Sequence, residues 1–90
     1  MDRVIEIPID GILDLHTFRP NEVPSLVKEY IEVCLSKGIY EIRIIHGKGK
    51  GVLRHTVHRI LEAHPRVVDF HDARDSAGWG ATVAYLCRPQ

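Results

Sequence analysis

Two groups of residues carry the chemistry open to this sequence. The first is Asp14 and His16, a carboxylate and an imidazole two positions apart. The second is the run His46-Gly47-Lys48-Gly49-Lys50-Gly51, which follows the apolar Ile42, Ile44 and Ile45 and leads into helix-compatible sequence. A strand that stops at a glycine-rich turn opening a helix is a device for holding anions. Glycine lets the backbone approach a ligand and take φ > 0, and the helix start supplies unpaired N–H groups and a partial positive charge. Lys48 and Lys50 add full charges at the tip. No Asp or Glu lies between Glu41 and Glu62, while five of the twelve Lys/Arg and three of the six His fall there. The ligand this predicts is phosphate. His16 or His46 could move a proton, since an imidazole titrates near neutral pH. Asp14 could orient a histidine or contribute to a Mg²⁺ site.

Two better-known glycine loops do not fit. A dinucleotide fingerprint needs G-x-G-x-x-G, and Val52 stands where its third glycine belongs. A P-loop needs Ser or Thr after its lysine, and here glycine follows both lysines. Plainer roles are open to each group. The loop could be a solvated turn, Asp14-His16 a structural pair, and His46 a cap. His55 and His58, three apart, suit a solvated basic face better than a metal site, because no thiolate or carboxylate stands at ligand spacing. Trp79, among glycines, could stack on a base or plug the sheet edge.

The elements that must position these residues follow from periodicity. Ninety residues, 44% hydrophobic and 27% charged, make one globular domain. The formal net charge is zero, so polyanion binding has to come from local charge segregation. No apolar run approaches the roughly 20 residues of a membrane span, and nothing resembles a signal peptide. The expectation is a cytoplasmic monomer with Cys34 and Cys87 reduced and buried.

Residues 1–11 read as a lead-in or edge strand ending at the Asp10-Gly11 turn. Ile12–His16 predicts a strand, with Leu13 and Leu15 on one face and Asp14 and His16 on the other. Asn21 is the expected cap of a helix whose apolar face runs Val23, Leu26, Val27, Tyr30, Ile31, Cys34 and Leu35 and which stops at Lys37-Gly38. A second strand covers 40–45. A second helix covers 52–63, with Leu53, Val57, Ile60 and Leu61 apolar and Pro65 beyond its end. Lys50, Arg54 and His58, spaced at i, i+4 and i+8 beside His55 and Arg59, read as a basic stripe continuing the loop. Strands at 67–73 and 81–87 close the chain. The order β-α-β-α-β-β predicts a two-layer α/β sandwich, with the first two strands parallel, the last two an antiparallel hairpin and the helices on one face. Ligands gather at the carboxyl ends of parallel strands, so the dyad and the loop should share a crevice.

These residues resemble the small-MutS-related (Smr) domain family. Its marks are Leu13-Asp14-Leu15-His16, the stretch Ile44 to Arg54, the helix end His64-Pro65, and Gly78-Trp79-Gly80-Ala81-Thr82. The likeness covers Ile12 to Leu86. It implies a four-stranded mixed sheet similar to the C-terminal domain of translation initiation factor three, in the free-standing single-domain form. It also implies nucleic-acid binding, with nicking or RNA-cleaving activity in several members. The family's LDxH motif falls on Leu13, Asp14 and His16, and its HGxG motif on His46 to Gly49. Thr17 stands where members usually carry glycine.

The combined expectation is an endonuclease acting on DNA or RNA. Asp14, His16 and His46 would be catalytic, with Mg²⁺ at Asp14, and His46, Gly47, Lys48, Gly49, Lys50, Gly51, Arg54 and His58 would bind nucleic acid. A non-catalytic DNA- or RNA-binding module, associated with RNA or the ribosome, is the alternative. A binder of nucleotides or phosphorylated metabolites is a more distant one, because a small anion would need only the loop.

Overall fold

The computed structural model describes residues 8–49, 51–74 and 78–89, without the side chain of Trp79. The elements are β1 (Ile12–Asp14), a 3-10 turn (Pro20–Glu22), α1 (Val23–Ser36), β2 (Glu41–Ile45), α2 (Val52–Ala63), β3 (Val67–Asp72), a second 3-10 turn (Gly78–Gly80) and β4 (Ala81–Leu86). They form the expected α/β fold with one four-stranded mixed sheet in the order β1-β2-β4-β3. β1 and β2 are parallel and β3 and β4 antiparallel. The last strand is inserted in the middle, antiparallel to β2, with Ile44 opposite Thr82 and Ile45 opposite Ala81.

Alternation sorts each strand between two environments. Leu13, Ile42, Ile44, Ala84 and Leu86 point into the core together with Leu26, Tyr30 and Ile31 of α1 and Val57 and Leu61 of α2. The opposite face carries exposed or half-buried residues: Ile12, Asp14, Arg43, Ile45, Val83 and Tyr85. The predicted apolar set of α1 is buried from Val23 to Cys34, with Leu35 at its margin. Tyr30 is wholly buried, and burial pushes its phenol up to about 12; its oxygen accepts from the Gly11 amide at 3.0 Å. Gly11 O accepts in turn from Arg43 N, which fastens the Asp10-Gly11 turn to the sheet. Of the lead-in or edge strand expected over residues 1–11, residues 1–7 lie outside the described residues.

Three local expectations are corrected. Asn21 does not cap α1; it sits inside the 3-10 turn, which Glu22 closes by accepting from Arg19 N at 2.9 Å. β1 ends at Asp14 rather than His16, because Phe18 N donates to Leu15 O and turns the chain. Cys34 is buried as expected, but Cys87, just beyond the end of β4, is exposed; both thiols are free.

Candidate functional site

Asp14 and His16 meet through a turn and not through strand alternation. Asp14 Oδ1 accepts from the His16 backbone N–H at 3.0 Å and is 2.7 Å from His16 Nδ1. A short carboxylate bonding the amide two residues on is a local geometry that needs no tertiary help. These hydrogen bonds, the backbone one first, hold the Asp14 carboxyl below its ordinary range. An ionised carboxylate only accepts, so the imidazole carries hydrogen on Nδ1 and presents Nε2 outward. The pair is open to solvent, with side-chain exposures of 47% for Asp14 and 75% for His16. Thr17, where a glycine was expected, sits in this turn without a left-handed backbone, since no non-glycine residue described has positive φ.

The loop after β2 is built from the inside. Among its described glycines, Gly47 (φ 82°) and Gly51 (φ 79°) are left-handed and Gly49 is not. Gly51 is the N-cap of α2 and supplies no side-chain hydrogen bond, so no cap competes for the first-turn amides. A pocket of about 150 Å³ opens there, lined by His46, Gly47, Gly49, Gly51, Val52 and Arg54 among others. Lys48 is exposed, and its stem lies across the second 3-10 turn; a Cβ on Gly80 would come within 3.0 Å of Lys48 Cγ. Gly80 O accepts from both His46 N (3.0 Å) and Gly47 N (2.8 Å). Lys50 lies outside the described residues.

His46 is buried. Its Nδ1 is 3.0 Å from Gly47 O and its Nε2 is 2.8 Å from Thr82 Oγ1, so both ring nitrogens are engaged within the protein. Burial pulls its pKa below the ordinary imidazole value. This geometry suits a brace for the loop better than a proton carrier, and leaves His16 as the outward-facing imidazole.

The basic stripe is corrected. Arg54 and His58 share a helix face with the buried Val57 and Leu61, at i, i+3, i+4 and i+7, so they lean onto the sheet. Arg54 makes a two-point bond to Asp72, Nη2–Oδ2 at 2.8 Å and Nε–Oδ1 at 3.1 Å. That contact holds the Asp72 carboxyl below its usual range and raises Arg54 further. His58 packs edge-on against Phe70 and reaches Thr82 Oγ1 at 2.8 Å, and burial lowers its pKa. His55 and Arg59 stay exposed.

Hydrogen-bond register brings the dyad and the loop to one edge. Asp14 lies opposite Ile45, and Leu15 N donates to Ile45 O at 2.9 Å, so the two chains leave the sheet side by side. They leave on different faces: Asp14 faces away from the core, His46 towards it, and neither Asp14 nor His16 lines the loop pocket. The expected shared crevice is therefore a shared edge. A Mg²⁺ ion also finds little here, since no group of three His, Cys, Asp or Glu side chains converges among the described residues. Asp14 alone offers a single ligand.

Residues 13–87 match the family model of the Smr domain. The chain belongs to the Smr domain family. It is 37% identical over 76 residues to Endonuclease MutS2 of Solidesulfovibrio magneticus, covering 83% of this chain and 10% of that protein. It is 39% identical over 75 residues to Endonuclease MutS2 of Shouchella clausii, covering 82% and 10%. The chain thus spans about a tenth of the length of the curated relatives it matches. The crystal structure of the Smr domain of Thermus thermophilus MutS2 superposes with a TM-score of 0.81 at 34% identity, over 88% of this chain and 99% of that one. The stand-alone small MutS-related protein YdaL from Escherichia coli gives 0.81 at 27% identity, over 90% and 67%. No described helix of this Smr domain is long and apolar enough to cross a membrane. Asp72, Thr82 and the hydrogen-bonding role of Gly80 were not singled out from sequence. Their partners lie on other elements, and only the Gly78–Thr82 family motif pointed near two of them.

Proposed function

We propose that this Smr domain binds DNA or RNA through the glycine loop and hydrolyses a phosphodiester at the adjoining Asp14–His16 dyad. The observation that carries the reading is the loop itself: left-handed Gly47 and Gly51 and an uncapped helix start line one small pocket, and exposed Lys48 stands on the same loop. A phosphate there would accept from backbone amides and be neutralised by Lys48, with Lys50 adding charge. Asp14 holds His16 with Nδ1–H inward, so His16 Nε2 can take a proton from an attacking water, in the base–orienter arrangement of hydrolytic dyads. The endonuclease names of the MutS2 relatives support cleavage, and the free thiols of Cys34 and Cys87 support a cytoplasmic setting. We take a monomer as the acting form.

A binding module without cleavage is the second reading. It is favoured by the openness of the dyad, whose 75% exposed histidine is not shielded from water. Incubation with supercoiled plasmid and structured RNA, with and without Mg²⁺, decides between them. Nicked plasmid or cleaved RNA with wild type and not with Asp14→Ala supports hydrolysis. A folded wild type that binds tightly and cuts neither substrate leaves the binding module.

A further inference from the structure

Thr82 is fully buried. Its hydroxyl nonetheless stands between two imidazoles, 2.8 Å from His46 Nε2 and 2.8 Å from His58 Nε2. The direction of each bond follows from donor inventory. Gly47 O can only accept, so His46 Nδ1 carries the hydrogen of that 3.0 Å contact. A neutral His46 then has a bare Nε2, and Thr82 Oγ1–H must donate to it. With its one hydrogen committed, Thr82 accepts from His58 Nε2–H. A one-way chain runs from α2 through β4 to the first peptide of the glycine loop.

We infer that Thr82 is a positioning residue for the anion loop, pinning the His46 ring at Nε2 so that its Nδ1–H stays on the Gly47 carbonyl. Gly47 is then fixed on both sides, its N–H on Gly80 O and its carbonyl on His46. A glycine at φ 82° without those bonds would sample many conformations, and a phosphate would have to order it on binding. Without the Thr82 hydroxyl, His46 Nε2 is a buried acceptor with no donor, and the ring is free to turn away from Gly47 O to find one. Gly47 O then loses its donor, and the loop is released. This inference rests on the glycine loop being the nucleic-acid site.

The test is Thr82→Val, which keeps the volume and removes the hydroxyl, with Thr82→Ser as rescue and Lys48→Ala as a check on the loop itself. Thr82→Ala replaces the valine variant if that one does not fold. Three quantities are measured: the His46 ring-nitrogen shifts by ¹⁵N NMR, the exchange rate of the Gly47 amide, and oligonucleotide affinity by fluorescence anisotropy. The expected result is loss of the hydrogen-bonded Nδ1 and Nε2 signature of His46, faster Gly47 exchange, and affinity lower by about tenfold, as for a loop competent about a tenth of the time. Serine should restore all three. Wild-type affinity in folded Thr82→Val beside weakened Lys48→Ala overturns the positioning role. Wild-type affinity in both removes the loop from the interface; unchanged His46 ring shifts and Gly47 exchange rate then overturn the positioning role as well.

Discussion

The dyad and the glycine loop lie at one edge of the sheet, yet they are built in opposite ways. Asp14 and His16 are two residues apart, exposed, and bonded to each other without a side chain from another element between them. The loop is held by residues 33 to 36 positions away, through Gly80 O and Thr82 Oγ1, and its histidine is buried. A group that donates or takes a proton needs only the correct tautomer and access to the reacting atom, which a short turn supplies. A backbone cradle needs several peptides aimed at once, which only packing from other elements supplies. On this contrast, damage to the dyad should be confined to chemistry, and damage behind the loop should be felt in binding.

The sharpest break is kinetic. His16→Ala and Asp14→Asn should each slow cleavage by about 10²-fold or more, the usual scale for acid–base groups, with affinity nearly unchanged. The double variant should lose much less than the product of the two, because both act on one step. Parallel falls in melting temperature, affinity and cleavage would instead make the pair structural.

The loop should respond in the opposite channel. Lys48→Ala with Lys50→Ala should lower the log–log salt slope of binding by about 1.4 to 1.8, the value for two lost phosphate contacts. An unchanged slope in a folded double variant would show that the lysines do not touch phosphate.

Asp72 gives a smaller change of opposite sign. Its carboxylate occupies Arg54 with the two-point geometry a phosphate would use, and both side chains remain about a third exposed. Asp72→Asn should release Arg54, tighten binding and steepen the salt slope by about 0.7 to 0.9 for one added contact. The loss in stability should be no more than about 1 kcal/mol for so exposed a pair. Weaker binding would mean that Asp72 holds Arg54 in its working position.

The smallest expected effect is on stability against pH. His46 and His58 have pKa values lowered by burial, below the ordinary 6.5. Above that value both folded and unfolded states are neutral at these sites. As pH falls through 6.5 the unfolded chain takes up protons that the fold refuses, so stability declines towards the folded pKa values. Asp14 and Asp72 act lower: their depressed pKa values give stability that is present above about 3.8 and lost as pH falls further. Melting temperatures from pH 8 to 5 should fall, and less steeply in His46→Gln. An equal slope in that variant would place the titration elsewhere.

Sequence by itself determined what depends on neighbours along the chain. The 3-4-7 spacing of α1 matches its buried face, α2 spans the expected 52–63, and Asp14 with His16 makes its own contact. The glycine run marked the loop because few sequences place so much positive charge and backbone freedom after a strand. Tertiary structure alone decided the electrostatics. Residues 42–61 contain no acid, so Arg54 and His58 read as a bare basic stripe; folding brings Asp72 from β3 onto them. It also decided the role of His46, because inserting β4 between β2 and β3 sets Thr82 opposite Ile44 and carries its hydroxyl to the imidazole. Charge and hydrogen bonding act through space, and a count along the chain cannot register a partner 18 or 36 residues away.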